Sequence, residues 1–184
     1  METSQIGLLQ PQREYVLHTG TNLISYPADG MAGLSASIPD DIEDIFKTKF
    51  SNMTHREFLY FWSLGKQHDI SDTKIINEGE HQKSIFLILS GQALVQRDKR
   101  VIATLNRPEF VGEISFITRE PASADVNSKG KMFYIEWDQK ELRRLKISNP
   151  SFWTKLNQIL GEDLAKKIKH NSIIKTEETQ KFEN

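Results

Sequence analysis

The stretch GEISFITREPASADV, residues 112–126, combines residue types that can bind an anion. It begins with Gly112 and a short apolar segment that could form a helical turn. Backbone N–H groups at the start of a helical turn can bind phosphate, and glycine lets the chain approach a ligand closely. The stretch ends on three small residues, Ala122, Ser123 and Ala124. It therefore has features of a phosphate site, but the position after Pro121 lacks an arginine that would hold the phosphate.

Other residue patterns give little support for catalysis or metal binding. The chain has no cysteine, and its five histidines include no H-x-H or H-E-x-x-H spacing. It also lacks the G-x-S-x-G, P-loop and G-x-G-x-x-G motifs. We therefore predict a protein that is not an enzyme and holds no metal.

Composition limits the partners of this chain of 184 residues, whose length suits one domain with appendages. Its formal net charge of -1 argues against non-specific binding to nucleic acid, which requires a basic surface. No signal peptide is evident, and apolar runs of about five residues are too short for a membrane span. We predict a cytoplasmic protein without a membrane span.

The elements that must position the stretch 112–126 are predicted to lie within residues 39–170. Residues 1–38 show no clear period and are predicted to be poorly ordered, with a possible short strand at Tyr15–Leu17. A first helix is predicted after Pro39, and a second follows the capping box formed by Thr54 and Glu57.

Residues 67–137 alternate short apolar segments with turns, which is typical of an antiparallel roll or barrel. The predicted strands are Thr73–Ile76, Ser84–Leu89, Ala93–Val95, Val101–Leu105, Ala122–Val126 and Met132–Trp137. Ser90–Gly91 is predicted to close one strand, and 97–100 to form a hairpin tip. The fold class is therefore mainly β with flanking helices.

Residues 138–170 are predicted to be helical, with Asp138 as an N-cap and Asn149-Pro150 before the last helix. The last helix carries an apolar stripe at three- and four-residue steps: Phe152, Leu156, Ile159, Leu160, Leu164 and Ile168. Residues 171–184 are predicted to be a polar tail. About 14 residues after position 170 are too few for a helix-turn-helix module, so DNA binding is not expected.

Helices, a β-roll with a G-E turn and a long helix, in this order, resemble the cyclic nucleotide-binding domain of the cAMP receptor protein superfamily. Three segments carry the resemblance, which covers about residues 40–170: NEGEHQKSIFLILSGQALV, PEFVGEISFITREPASADV and FYIEWDQKELRRLKISNPSFWTKLNQILGEDLAKKI. The second resembles the family's phosphate-binding cassette, and residues 112–126 are called the cassette below. The third is similar to the bacterial Popeye-like branch, which implies a β-roll of the cyclic nucleotide-binding type.

The resemblance implies a ligand site for cAMP or a related cyclic nucleotide within the cassette. It implies that Gly112 permits the close turn and that the Glu113 carboxylate accepts a hydrogen bond from the ribose 2′-hydroxyl. Serine hydroxyls would donate to phosphate oxygens. The implied site residues are Gly112, Glu113, Ile114, Ser115, Ala122, Ser123 and Ala124, with Arg119 as a possible replacement cation.

Two positions depart from the family pattern. Ala122 stands where the family has its phosphate-binding arginine, and Asp125 stands where it has Thr or Ser. A hydrogen bond to a charged group contributes roughly 1.5–3 kcal/mol, so losing the arginine weakens affinity about ten- to more than a hundredfold. Strand alternation places Ser123 and Asp125 on the same face, where a carboxylate facing the ligand would repel phosphate.

Three functions follow as hypotheses. The first is a regulatory module that binds a cyclic nucleotide, cAMP by default, and signals through helix 149–170, which moves or dimerises. The second is a degenerate Popeye-like domain without nucleotide binding, which contacts a partner protein or a second copy through Leu156, Ile159, Leu160 and Leu164. The third is a cupin-like enzyme acting on a small molecule.

Overall fold

The computed structural model describes residues 13–17, 22–26 and 40–181, and the chain divides into two units, residues 1–44 and 45–184. In the first unit, strands β1 (Arg13–Leu17) and β2 (Asn22–Tyr26) pair in antiparallel orientation. The possible strand at Tyr15–Leu17 is therefore present as part of β1. The rest of the segment 1–38 lies outside the described residues.

Two helices precede the sheet, α1 (Asp40–Lys49) and α2 (His55–Ser63). The predicted capping box begins α2: the Thr54 N–H donates to the Glu57 carboxylate at 2.7 Å, and the Glu57 N–H donates to the Thr54 hydroxyl at 3.3 Å. These bonds satisfy N–H groups that have no partner within the helix, which fixes where α2 begins.

The second unit is built on a six-stranded antiparallel sheet, which confirms the predicted roll with flanking helices. The central order is β3-β8-β5-β6, while β4 pairs with β8 and β7 pairs with β5. The strands are β3 (Lys66–Ser71), β4 (Lys74–Ile76), β5 (Ser84–Arg97), β6 (Arg100–Asn106), β7 (Phe110–Val111) and β8 (Asp125–Asp138).

The prediction that Ser90–Gly91 closes a strand is wrong, because β5 runs through this point with a shift in its pairing to β8. Gly91 has a φ of 83°, and a Cβ there would lie 2.4 Å from the Lys131 carbonyl oxygen. Glycine thus permits a bulge in a continuous strand rather than a turn. The last two predicted strands are similarly corrected: β8 begins at Asp125 and continues through Gly130.

Three helices follow from the cassette onward: α3 (Glu113–Thr118), α4 (Gln139–Ser148) and α5 (Pro150–Lys181). The predicted N-cap of α4 is present, since the Asp138 carboxylate accepts from the Glu141 N–H at 2.9 Å. The backbone of α5 continues past position 170, where the sequence predicts a polar tail. No glycine or proline follows Gly161, so no residue interrupts the helix.

An aromatic core joins the sheet to α2 and α5. The rings of Phe61 and Trp137 stack with centroids 4.2 Å apart, and the Trp137 indole N–H donates to the Phe61 carbonyl at 2.8 Å. The α5 side chains in this core are buried: Phe152, Leu156, Ile159 and Leu160. Three of the four residues in the predicted partner-binding stripe are therefore covered by their own domain.

Candidate functional site

A cavity of about 540 Å³ opens beside the cassette. One wall is β6, from Ile102 to Asn106. The second wall is the cassette itself, and the third is α5, which contributes Leu164 and 166–168. The cavity thus lies between the segment predicted to bind a phosphate and the helix predicted to transmit a signal.

Seven of the eight predicted site residues line this cavity: Gly112, Glu113, Ile114, Ser115, Ala122, Ser123 and Ala124. Arg119 does not line it. It ends α3 with a φ of 67°, and its charge acts on Arg143 of α4, whose guanidinium lies 4.5 Å from the Phe116 ring centroid. The structure therefore places Arg119 towards α4 rather than at the cavity.

Gly112 determines the backbone conformation at the start of α3. Its φ of 83° is a left-handed conformation that glycine adopts without steric cost, and a Cβ there would lie 3.3 Å from the Ser84 carbonyl oxygen. This turn brings Glu113 and Ser115 to the cavity, where both are buried.

A chain of buried charges connects the cassette to two helices. The Glu113 carboxylate lies 2.8 Å from the Lys167 ammonium group on α5, and Lys167 lies 2.9 Å from Asp163 one turn earlier. Lys167 also donates to the Phe110 carbonyl, while Asp163 pairs with Lys49 of α1 and accepts from the Phe110 N–H at 3.2 Å. Lys167 therefore donates to three oxygen atoms.

The pKa shifts in this chain follow from burial and pairing. Burial raises the pKa of Glu113, although attraction to Lys167 opposes the shift. Burial acts to lower the pKa of Lys167, but attraction to Glu113 and Asp163 outweighs burial and raises it. Burial lowers the pKa of Lys49. The Lys167–Glu113 pair is thus an ion-pair contact between the cassette and α5.

The end of the cassette contributes three buried apolar residues to the cavity, while the Asp125 carboxylate is bound outside it. Ala122, Ala124 and Val126 are buried and line the cavity. Asp125 is not among the lining residues: its carboxylate lies 2.9 Å from the Lys74 ammonium group and accepts from the Glu78 N–H at 2.8 Å. These two contacts lower the pKa of Asp125, the amide contributing more, and they hold its carboxylate outside the cavity.

The aromatic residues that could stack on a base instead pack elsewhere. Tyr134, Trp137 and Phe152 are buried, and none of them lines the cavity. Trp153 contacts the Phe116 ring, with centroids 5.7 Å apart. These side chains therefore pack within the domain.

The sequence reasoning missed the residues of α5 that complete the site, Asp163, Lys166 and Lys167. Asp163 and Lys167 are spaced i, i+4, which is typical of an ion pair on an exposed helix face. The signal that could have identified them is their position beside Leu160 and Leu164, where two charges interrupt an apolar stripe.

Comparison with known proteins agrees with this geometry. Residues 71–149 match the family model described as the cyclic nucleotide-binding domain. These residues are similar to the cyclic nucleotide-binding family, and the solved structures below share the fold of the roll. No curated protein shows a significant match to the sequence.

Three solved structures illustrate the shared fold. A cyclic nucleotide-binding domain from Methylobacillus flagellatus KT has a TM-score of 0.62 and 22% identity, over 65% of this chain and 70% of that one. A putative cyclic nucleotide-binding protein from Geobacter metallireducens GS-15 has a TM-score of 0.62 and 11% identity, over 71% and 99%. The regulatory domain of Toxoplasma gondii PKA, crystallised with cAMP, has a TM-score of 0.52 and 18% identity, over 56% and 42%.

Two further observations concern only the part of the chain that the structure describes. None of its helices combines the length and apolar character needed to cross a membrane. Its His, Asp and Glu side chains form no group of three or more that could hold a metal ion. The comparisons indicate no catalytic family.

Proposed function

We propose that this chain is a regulatory module that binds a cyclic nucleotide, cAMP by default, in the cavity between the cassette and α5. The observation that carries the proposal is the position of Glu113, which lines the cavity and is bonded to Lys167 of α5. In the cyclic nucleotide-binding family this carboxylate is expected to accept the ribose 2′-hydroxyl. The Glu113 side chain would therefore contact both the ligand and α5.

This arrangement supports a mechanism for signalling through α5. A ribose hydroxyl at Glu113 would compete with the Lys167 ammonium group for carboxylate lone pairs. A ligand shifts a conformational equilibrium only by its difference in affinity for the two states. Nucleotide would bind more tightly when the Lys167 ammonium group is displaced from the Glu113 carboxylate, and this displacement would change how α5 packs against the cassette.

The direct test is isothermal titration of the full chain with cAMP and cGMP, comparing wild type, Glu113→Gln and Glu120→Gln. Glu113→Gln is expected to weaken binding about tenfold or more, because a hydrogen bond to a charged acceptor is lost. Glu120 is exposed and does not line the cavity, so Glu120→Gln is the matched control and is expected to bind as wild type does. Thermal unfolding of each variant establishes that all three are folded. Absence of heat with millimolar nucleotide and folded wild type would overturn the proposal.

A second candidate function is a domain that no longer binds nucleotide and acts as a scaffold. Ala122 favours it, since the cavity lacks the family's arginine at that position. Burial of Leu156, Ile159 and Leu160 opposes the partner-binding surface first predicted. The Popeye-like assignment, a homodimer through α5 and a cytoplasmic location stay predictions.

A further inference from the structure

A cyclic nucleotide carries one negative charge on its phosphate, and the cassette offers no side-chain cation to meet it. Ala122 occupies the position of the family's arginine, and Arg119 points towards α4. A charge-assisted contact is the strongest single hydrogen bond that a phosphate can gain from a protein. The other cations near the cavity are therefore candidates for the phosphate contact, and the groups that each already binds distinguish them.

Most of these cations are held by other groups. Lys167 donates to three oxygen atoms, as described above, and Lys74 pairs with Asp125 outside the cavity. Arg97 lies close to the cassette, but its Nε donates to the Ser123 carbonyl at 2.8 Å, and the same nitrogen is 3.8 Å from the Glu78 carboxylate. Arg97 does not line the cavity.

Lys166 of α5 differs from these cations. It lines the cavity and is exposed, and no carboxylate among the described residues lies within ion-pair distance of it. Of the two carboxylates that line the cavity, Glu113 is paired with Lys167, and Glu109 accepts from the Asn106 N–H at 2.6 Å. The electrostatic effect of Lys166 extends to Lys49 of α1. Repulsion from Lys166 contributes to the lowered pKa of Lys49, although burial is the larger cause.

We propose that Lys166, carried by α5, supplies the positive charge that holds the phosphate of the bound nucleotide. This inference rests on the proposed function and names the cation of the same site. Lysine suits this role because its long, flexible side chain can reach a bound ligand from an exposed position on the helix. The cassette then contributes the carboxylate and the shape of the site, while the helix contributes the charge.

The test measures cAMP and adenosine affinity for wild type, Lys166→Gln, Lys166→Arg, Arg97→Gln and Lys146→Gln. Lys166→Gln is expected to weaken cAMP binding about tenfold, equivalent to about 1.4 kcal/mol. It is expected to leave adenosine binding unchanged, because adenosine has no phosphate. Lys166→Arg should restore cAMP affinity. Lys146 is an exposed lysine of α4 outside the cavity, so Lys146→Gln should bind as wild type does.

The outcomes separate this inference from the proposed function. If wild type binds neither cAMP nor cGMP, both proposals are overturned. If wild type binds cAMP and Lys166→Gln binds equally well, only the role of Lys166 is overturned. A loss confined to Arg97→Gln would assign the phosphate to the guanidinium on β5 and would also overturn it. Salt gives an independent readout: raising NaCl from about 0.05 to 0.5 M should weaken cAMP binding more in wild type than in Lys166→Gln, because salt screens the exposed charge.

Discussion

The cassette wall and the α5 wall of the cavity differ in the kind of side chain they contribute. The cassette brings a glycine turn, small residues and the single carboxylate of Glu113. Helix α5 contributes Lys166 and Lys167, and Asp163 forms an ion pair with Lys167. The charge that the family places in the cassette is absent there, while two ammonium groups stand on the facing helix.

This difference bears on how ligand binding would be coupled to the helix. When the cation belongs to the cassette, a ligand can bind fully without contacting the helix. When the cation belongs to α5, phosphate binding requires a contact with the helix. Ligand binding and the position of the helix are then linked by a coupling free energy. The first two changes below each alter one wall and so test whether the walls are distinct, and the third alters neither wall.

The largest effect is expected from Asp163→Ala in α5. Asp163 is 4% exposed and bonds Lys49, Lys167 and the Phe110 N–H, so its loss leaves buried donors unpaired. Removing one partner of a buried ion pair costs about 3–5 kcal/mol of the free energy of unfolding. Urea denaturation measures it, with Glu162→Ala as the matched control, since that exposed carboxylate accepts a hydrogen bond from Gln158 in the same helix. Equal losses in the two variants would contradict the structural role given to the buried charges.

An intermediate effect is expected from Ala122→Arg, which returns the cation to the cassette wall. Ala122 lines the cavity, so the longer side chain can extend into it. The new contact should strengthen cAMP binding about ten- to a hundredfold, corresponding to roughly 1.5–3 kcal/mol. Titration calorimetry measures the change, and Ala122→Met, of similar length without charge, controls for packing. An unchanged affinity for the arginine variant would indicate that the phosphate does not lie at this wall.

The smallest effect is expected from Glu57→Gln, far from the cavity. Burial acts to raise the pKa of Glu57, but bonds from Lys155 and Thr54 outweigh it, so the folded pKa lies below its ordinary value of 4.5. A lowered folded pKa gives stability that is present above 4.5 and is lost as pH falls through the folded value. The variant should lose about 0.5–1 kcal/mol at pH 7, and its difference from wild type should vanish in acid. A difference that persists at pH 2 would contradict this account.

Local signals in the sequence predicted where the helices begin and that the sheet is antiparallel. The Thr54 box and the Asp138 cap depend on neighbouring residues, so they can be identified without the fold. The two long strands could not be predicted in the same way. Gly91 and Gly130 resemble strand ends in sequence, and only the pairing of β5 with β8 shows that the chain continues through both.

The cassette side of the site was predictable because its residues are contiguous in the chain. The α5 side was not, since Lys167 meets Glu113 across 54 positions. Alternation placed Asp125 and Ser123 on one face, but it could not show that the Asp125 carboxylate is bound outside the cavity. The Lys74 ammonium group and the Glu78 amide hold it there, and they come from β4 and from the turn that follows β4.

Helix α5 is 32 residues long and extends well past its contact with the cassette. At about 1.5 Å per residue, the segment from Lys167 to Lys181 measures about 21 Å. Under the proposed signalling mechanism, this segment would act as a lever arm that pivots near the Lys167–Glu113 pair. A tilt of about 10° at that pivot would displace the far end by about 4 Å, which is comparable to one helical turn. The loss of one hydrogen bond at the cavity would thus produce a displacement large enough for a second molecule to recognise.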